Sequence, residues 1–221
     1  MPEPETPAPR IRDGVRAALP LAPSPILFGL SYGVLADATG FGRVAAIVMS
    51  ATTFAGASQF ASISVVDAGG TVVAAALAAI FLNARYAAIS LTVASIFPGG
   101  RLRRLIESQS IVDESWALSG RRGRFERPIL VGAGMLLYVL WVGSTALGTV
   151  IGGVLDDPNA LGLDAAFAAL FLALAMPYLR NGRAREAAAL AAGITLVLIP
   201  FTPAGVPIIA ASAACLLGLR R

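Results

Sequence analysis

Long apolar stretches constrain this chain more than any other feature of its sequence. They are comparable to the roughly 20 residues that a membrane-spanning helix needs. They lie at about residues 15–35, 44–66, 72–97, 129–155, 163–179 and 187–219, the last interrupted by PFTPAGVP. Only 14% of the residues are charged, against roughly 25% in a soluble domain. The sequence therefore predicts an all-α, polytopic transmembrane helical bundle of about seven helices, some of them short or broken.

The same pattern predicts the domain organisation. Residues 1–14 are rich in proline and acidic side chains and are expected to form a disordered tail; they lack the features of a signal peptide. Residues 15–219 are expected to form a single transmembrane domain. Within it, the polar residues 98–127 are expected to form a cytoplasmic segment with an interfacial amphipathic helix. A solvated connecting helix is the alternative.

The basic residues indicate orientation. All 17 are arginines, and they cluster at the ends of apolar stretches, which favours the positive-inside rule over nucleic-acid binding. The rule places residues 101–127 and RNGRAR in the cytoplasm, and LDDPNALGLD outside. Two topologies stay open for the first half, seven full crossings or one re-entrant segment, because three crossings would put Arg10, Arg12 and Arg16 outside.

A faint internal repeat bears on the architecture. The sequences GVLADATGFG (33–42) and GVLDDPNALG (153–162) match at five of their ten positions. If three crossings separate the two copies, they are inverted in the membrane, as in many secondary transporters. Chance similarity in a chain of such low complexity is an equally weighted alternative.

Missing residue types exclude several kinds of site. The chain has no histidine and one cysteine, Cys215, which excludes His/Cys metal sites, Ser–His or Cys–His nucleophile pairs and an internal disulfide. It also has no G-x-x-x-x-G-K-[ST] motif for nucleotide binding. We therefore expect no cofactor, no metal, no nucleic acid and no enzymatic activity.

Two polar groups interrupt the apolar stretches. Asn83 and Arg85 lie near the middle of one stretch, where an unpaired arginine costs at least about 2.5 kcal/mol. This cost predicts a functional site facing the protein interior, with a structural arginine as the alternative. The sequence FAGASQF (54–60) places Gln59 at mid-span, where its amide must find a partner. It predicts either close helix packing or a broken helix whose backbone faces a substrate.

Small and acidic residues complete the set of candidates. The glycine pairs Gly29/Gly33 and Gly148/Gly152 have the small-xxx-small spacing and predict close helix packing. Acidic side chains are candidate proton carriers, because a carboxyl that is partly desolvated at a cavity has a raised pKa.

Five pieces of sequence, in this order, resemble the large subunit of the AzlC-type branched-chain amino acid permeases: FGLSYGVLADATG, MSATTFAGASQF, LNARY, DESWAL and GLDAAFAALFLAL. The resemblance covers nearly all of residues 15–219. It implies export of branched-chain or related neutral amino acids across the bacterial cytoplasmic membrane, together with a small hydrophobic AzlD-type partner subunit. Tyr86 stands where some relatives have histidine, so a histidine-based proton relay is not carried over.

These features predict a secondary transporter, driven by the proton gradient or by substrate exchange. A non-transporting scaffold or assembly subunit is the alternative, and a homo-oligomer stays open. A zwitterionic substrate needs an N–H-rich or cationic place for its carboxylate, acceptors for its ammonium group and apolar walls for its side chain. The predicted substrate-binding residues are Phe54, Gly56, Ser58, Gln59, Phe60, Asn83 and Arg85. The predicted proton-coupling residues are Asp113, Glu114 and Asp164.

Overall fold

The computed structural model describes residues 8–121, 124–153, 178–202 and 206–211, and the single positions 172, 176, 213 and 214. Its helices, in chain order, are α1 (Ile11–Ala18), α2 (Pro23–Ala38), α3 (Arg43–Thr53), α4 (Gly56–Asp67), α5 (Val72–Asn83), α6 (Arg85–Val93), α7 (Arg101–Ser108), α8 (Asp113–Ser119), α9 (Arg127–Gly152), α10 (Gly182–Leu198) and α11 (Val206–Ala211). Two short antiparallel strands of two residues each, β1 (Gly120–Arg121) and β2 (Arg124–Phe125), lie between α8 and α9. The predicted all-α fold of a helical membrane protein is confirmed.

Two described helical stretches are long and apolar enough to cross a membrane: Val72–Ile96 and Arg127–Gly152. A third candidate is the bent pair Ile11–Leu21 and Pro23–Ala38, whose halves meet at 66°. Prolines in this first stretch lack the N–H that a continuous helix needs, which accounts for the bend. Helix α1 begins at Ile11, inside residues 1–14 that were expected to form the tail. The predicted domain division stays a prediction.

Close packing of α2 on α9 forms the centre of the bundle. A Cβ added to Gly33 would overlap the Thr145 carbonyl oxygen, and one added to Gly148 would overlap the Leu30 carbonyl oxygen. Gly29 and Gly152 meet the facing helix in the same way. The two predicted small-xxx-small pairs therefore pack against each other, with the backbones in contact.

The second apolar stretch is interrupted in the structure. Helix α3 ends at Thr53 and α4 begins at Gly56. Between them Phe54 takes a left-handed conformation, with φ 42° and ψ 53°. The predicted break in this helix is confirmed. The last apolar stretch also forms two helices, α10 and α11, as predicted. The stretch 163–179 lies largely outside the described residues, as do the second copy of the repeat beyond Gly153 and Cys215.

The polar segment forms two helices where the sequence predicted one. Helix α7 presents Leu102, Leu105 and Ile106 to the outside and has no buried residue, as an interfacial helix would; that location stays a prediction. A turn then separates α7 from α8, at the point where the Ser110 backbone packs directly on Gly134 of α9. The Val112 N–H donates to Ser115 Oγ at 3.0 Å, which starts a new helix.

Candidate functional site

Gln59 holds the helix break together. Its Oε1 accepts from the Ala55 N–H at 3.3 Å and from the Trp141 indole at 3.0 Å. Its Nε2 donates to Ser50 Oγ at 2.7 Å, and Ser50 Oγ shares a hydrogen bond with Thr145 Oγ1 at 2.9 Å. All five of these residues are less than 7% exposed, and Gln59, Ser50 and Thr145 are fully buried. Gln59 thus links α4 to α3 and α9 and satisfies a backbone donor that the break would leave unpaired.

The carbonyl groups that the break frees at the end of α3 also have partners. Tyr138 Oη donates to the Ala51 carbonyl at 2.8 Å. Gln109 Nε2, from the turn after α7, donates to the Thr52 carbonyl at 3.2 Å. In this conformation both acceptors are occupied by side chains from outside α3, so a substrate ammonium group would have to displace one of them.

Aromatic packing surrounds the break on the side of α9. The Phe54 ring makes edge contacts with Tyr138 and Trp141, with centroid distances of 5.3 and 6.5 Å. A Cβ added to Gly56 would lie 2.8 Å from the Trp141 ring, so no larger residue fits there without a shift. The stretch therefore combines the two features that were predicted as alternatives, a broken helix and close packing at its glycine. Contact of the freed backbone with a substrate stays a prediction.

The second aromatic residue of this stretch, Phe60, packs against α2. Phe60 is 1% exposed, and its ring makes an edge contact with Tyr32 of α2 at 5.7 Å. Burial of this depth places Phe60 in the core of the bundle. Its predicted contact with a substrate stays a prediction.

A direct hydrogen bond joins the two polar groups singled out in the sequence. Ser58 Oγ donates to Asn83 Oδ1 at 2.6 Å, across 25 positions of sequence. This contact brings the start of α4 against the end of α5, where the helix is locally interrupted at Ala84 before α6. The two stretches that supply the predicted substrate-binding residues are therefore in contact.

Two cavities meet at the break. The polar cavity, of about 210 Å³, is lined by Thr53, Phe54, Asn83, Tyr86, Ser90, Ser108, Gln109 and Ile111. The apolar cavity, of about 530 Å³, is lined by Phe41, Met49, Thr53, Ser62, Val72, Ala75, Ala76, Ala79, Ile80, Asn83 and Ala84. Thr53 and Asn83 belong to both, so an amphiphilic molecule would find polar and apolar walls on either side of these two residues.

Arg85 forms an ion pair with one of the predicted proton-coupling residues. Its Nη1 lies 3.0 Å from Asp113 Oδ2, and the two side chains are 44% and 39% exposed. The guanidinium also lies 5.0 Å from the centre of the Tyr86 ring. Asp113 of α8 therefore compensates the charge of Arg85, which was expected to need a partner. The Arg85 side chain lies at an accessible edge of the bundle, whereas the sequence predicted that it faces the interior.

Glu114 follows in the same helix. Its residue surface is exposed, yet the protein atoms around the carboxyl desolvate it and raise the pKa of Glu114 above its ordinary value. The neighbouring Asp113 acts in the same direction, and Arg85 opposes it. Asp164, the third predicted proton-coupling residue, lies outside the described residues. Within the described ranges, no three acidic or cysteine side chains are grouped so as to hold a metal ion.

Several residues of this region were missed by the sequence analysis. Trp141, Thr145 and Tyr138 all lie on α9, more than 80 positions from their partners at the break. One available indication was Trp141 itself, because an indole N–H in the middle of an apolar span needs an acceptor. The identity of that acceptor depends on the fold and cannot be deduced from local sequence.

Comparison with known proteins shows which family the sequence resembles. The family model described as AzlC protein matches residues 20–155. An uncharacterized membrane protein of Archaeoglobus fulgidus is 35% identical over 179 residues, which cover 80% of this chain and 79% of that protein. The branched-chain amino acid transport protein AzlC of Bacillus subtilis is 23% identical, over 71% of this chain and 63% of its own length. No solved structure matches the chain. The chain therefore belongs to the AzlC family of transport-associated membrane proteins.

Proposed function

We propose that this protein is a secondary transporter that exports branched-chain or related neutral amino acids across the cytoplasmic membrane. The observation that carries the proposal is the helix break at Phe54–Ala55, next to a polar and an apolar cavity. Non-helical backbone at membrane depth is tolerated only where protein buries it or where it lines a cavity. In transporters, such discontinuous helices form the substrate site.

The proposed site offers groups for each part of a neutral amino acid. The N–H groups of Gly56 and Ser58 in the first turn of α4 have no partner within the helix and favour an anion. Arg85 is the alternative place for the carboxylate. Asn83 presents an amide between the two cavities, and the alanine-rich wall of the apolar cavity suits an aliphatic side chain.

The role of Gln59 in this site is positional. Both polar atoms of its side chain are engaged in hydrogen bonds with the protein, so we propose that it fixes the conformation of the break. Direct contact between Gln59 and a substrate would require these bonds to open during the transport cycle.

We further propose that transport is coupled to protons and that a small hydrophobic AzlD-type subunit assembles with this chain. Glu114 is the strongest described candidate for proton coupling, because a raised pKa brings its carboxyl closer to physiological pH. The name of the Bacillus subtilis relative supports branched-chain amino acids as the substrate class.

A variant series tests the proposal. Cells that express the chain with its neighbouring small subunit are loaded with labelled leucine, and efflux is compared for Asn83→Ala, Arg85→Ala and the control Arg103→Ala. Arg103 pairs with Glu107 on α7 and is expected to leave efflux unchanged. At equal protein levels, the first two variants should slow efflux at least about tenfold, the effect of one lost charge-assisted contact. Efflux at the control rate in both would refute the assignment.

A further inference from the structure

The Arg85–Asp113 ion pair carries one positive and one negative charge, as a zwitterionic amino acid does. It presents one cationic and one anionic group 3.0 Å apart, on α6 and α8, and both side chains are partly open to the outside. Separation without a replacement would leave two unpaired charges beside an apolar bundle, which is unfavourable.

The neighbours of this pair line the polar cavity. Tyr86, which follows Arg85, forms part of the cavity wall and contacts the guanidinium. Ile111, two residues before Asp113, forms part of the wall as well. Asn83, two residues before Arg85, lines both the polar and the apolar cavity. A molecule with its charges at the pair could therefore direct an aliphatic side chain past Asn83 into the apolar cavity.

We propose that the two charges of an amino acid replace this ion pair, with the substrate carboxylate on Arg85 and the substrate ammonium on Asp113. The inference rests on the proposed function and deepens it, because it assigns Asp113 to substrate binding and leaves Glu114 as the described candidate for the proton. Each protein charge keeps a partner of opposite sign throughout the exchange, which is possible only for a ligand that carries both charges.

The substrate class follows from this exchange. The site should accept α-amino acids with a free amino group, a free carboxyl group and a neutral side chain. It should reject the amide of the same amino acid, which lacks the anion and leaves Arg85 unpaired. It should also reject the corresponding 2-oxo acid, which lacks the cation and leaves Asp113 unpaired.

Competition against labelled leucine uptake tests the assignment in vesicles that contain the full chain and its small subunit. Unlabelled leucine, leucinamide and 4-methyl-2-oxopentanoate are the competitors. With the wild-type chain, both analogues should require at least tenfold higher concentrations than leucine. Arg85→Gln should remove the preference for leucine over leucinamide, and Asp113→Asn should remove the preference for leucine over the 2-oxo acid. Arg103→Gln should keep the wild-type order.

The results separate this inference from the proposed function. Competition by either analogue as strong as that by leucine, with the wild-type chain, overturns the inference even if the variants fail to fold. Variants that weaken all three competitors equally also overturn it, since a structural role would have that effect. Leucine transport itself would survive both results. A wild-type chain that shows no leucine uptake contradicts the proposed function and this assignment together.

Discussion

Replacing Gln59 with leucine should destabilise the protein strongly, because it removes three buried hydrogen bonds at the break. The Trp141 indole N–H and the Ala55 N–H would lose their shared acceptor, and Ser50 would lose a donor. Interhelical hydrogen bonds in membranes contribute about 0.6 kcal/mol each, and a buried donor left unpaired costs about 1–3 kcal/mol. The expected loss of unfolding free energy is therefore about 2–6 kcal/mol.

The assay is thermal unfolding of the purified protein in detergent. A loss of this size should lower Tm by at least about 4 °C, at roughly 2–4 °C per kcal/mol for a chain of this length. Gln109→Leu is the matched control, since it makes the same chemical change at the same break but removes one hydrogen bond, to the Thr52 carbonyl. Equal values of Tm for Gln59→Leu and Gln109→Leu would refute the claim that Gln59 holds the break.

Three further predictions concern packing and pH. Gly33→Ala should lower Tm, because its Cβ would overlap a carbonyl oxygen of α9. Gly143→Ala has open space around the added Cβ and should raise Tm slightly. A change of Tm in the same direction for both variants would contradict the close packing at Gly33. Hydrogen bonding to Arg127 lowers the pKa of Glu107 to about 2 from 4.5, so the stabilisation from this pair is complete above about pH 4.5 and is lost as the pH falls toward 2. Tm should therefore fall less steeply below pH 4.5 in Glu107→Gln than in the wild type or in the control Glu186→Gln. The same dependence of Tm on pH in all three proteins would contradict a stabilising role for the Glu107–Arg127 pair. Because the pKa of Glu114 is raised, Glu114→Gln should flatten the pH profile of leucine transport, and an unchanged profile would exclude Glu114 as the proton carrier.

Local composition predicted the elements of the fold well. Apolar length indicated the candidate spans Val72–Ile96 and Arg127–Gly152. The spacing of Gly29 and Gly33 indicated close packing, and the small and polar residues around Gly56 indicated the broken helix. These features act over one or two turns of helix, within the reach of a sequence pattern. The prolines of the first stretch were visible too, but the sign and size of a bend depend on what the two halves pack against.

The partners at the site could not be predicted in the same way. The sequence showed that Gln59 and Arg85 need partners, because the cost of leaving them unpaired is a property of the residue and its surroundings. Trp141 and Asp113 are supplied by distant parts of the chain, and only the fold brings them into contact. The turn before α8 was also missed, and there Ser110 lies against Gly134, a residue from a different helix.

Reconstitution tests the central claim most directly. The purified full-length chain, alone and together with its small subunit, is placed in vesicles loaded with unlabelled leucine, and entry of labelled leucine by exchange is measured against labelled glutamate. The account predicts leucine exchange well above that of empty vesicles when this chain is present with its partner, and no exchange of glutamate. Leucine entry at the level of empty vesicles, or equal entry with the small subunit alone, would contradict the proposal that this chain contains the transport site.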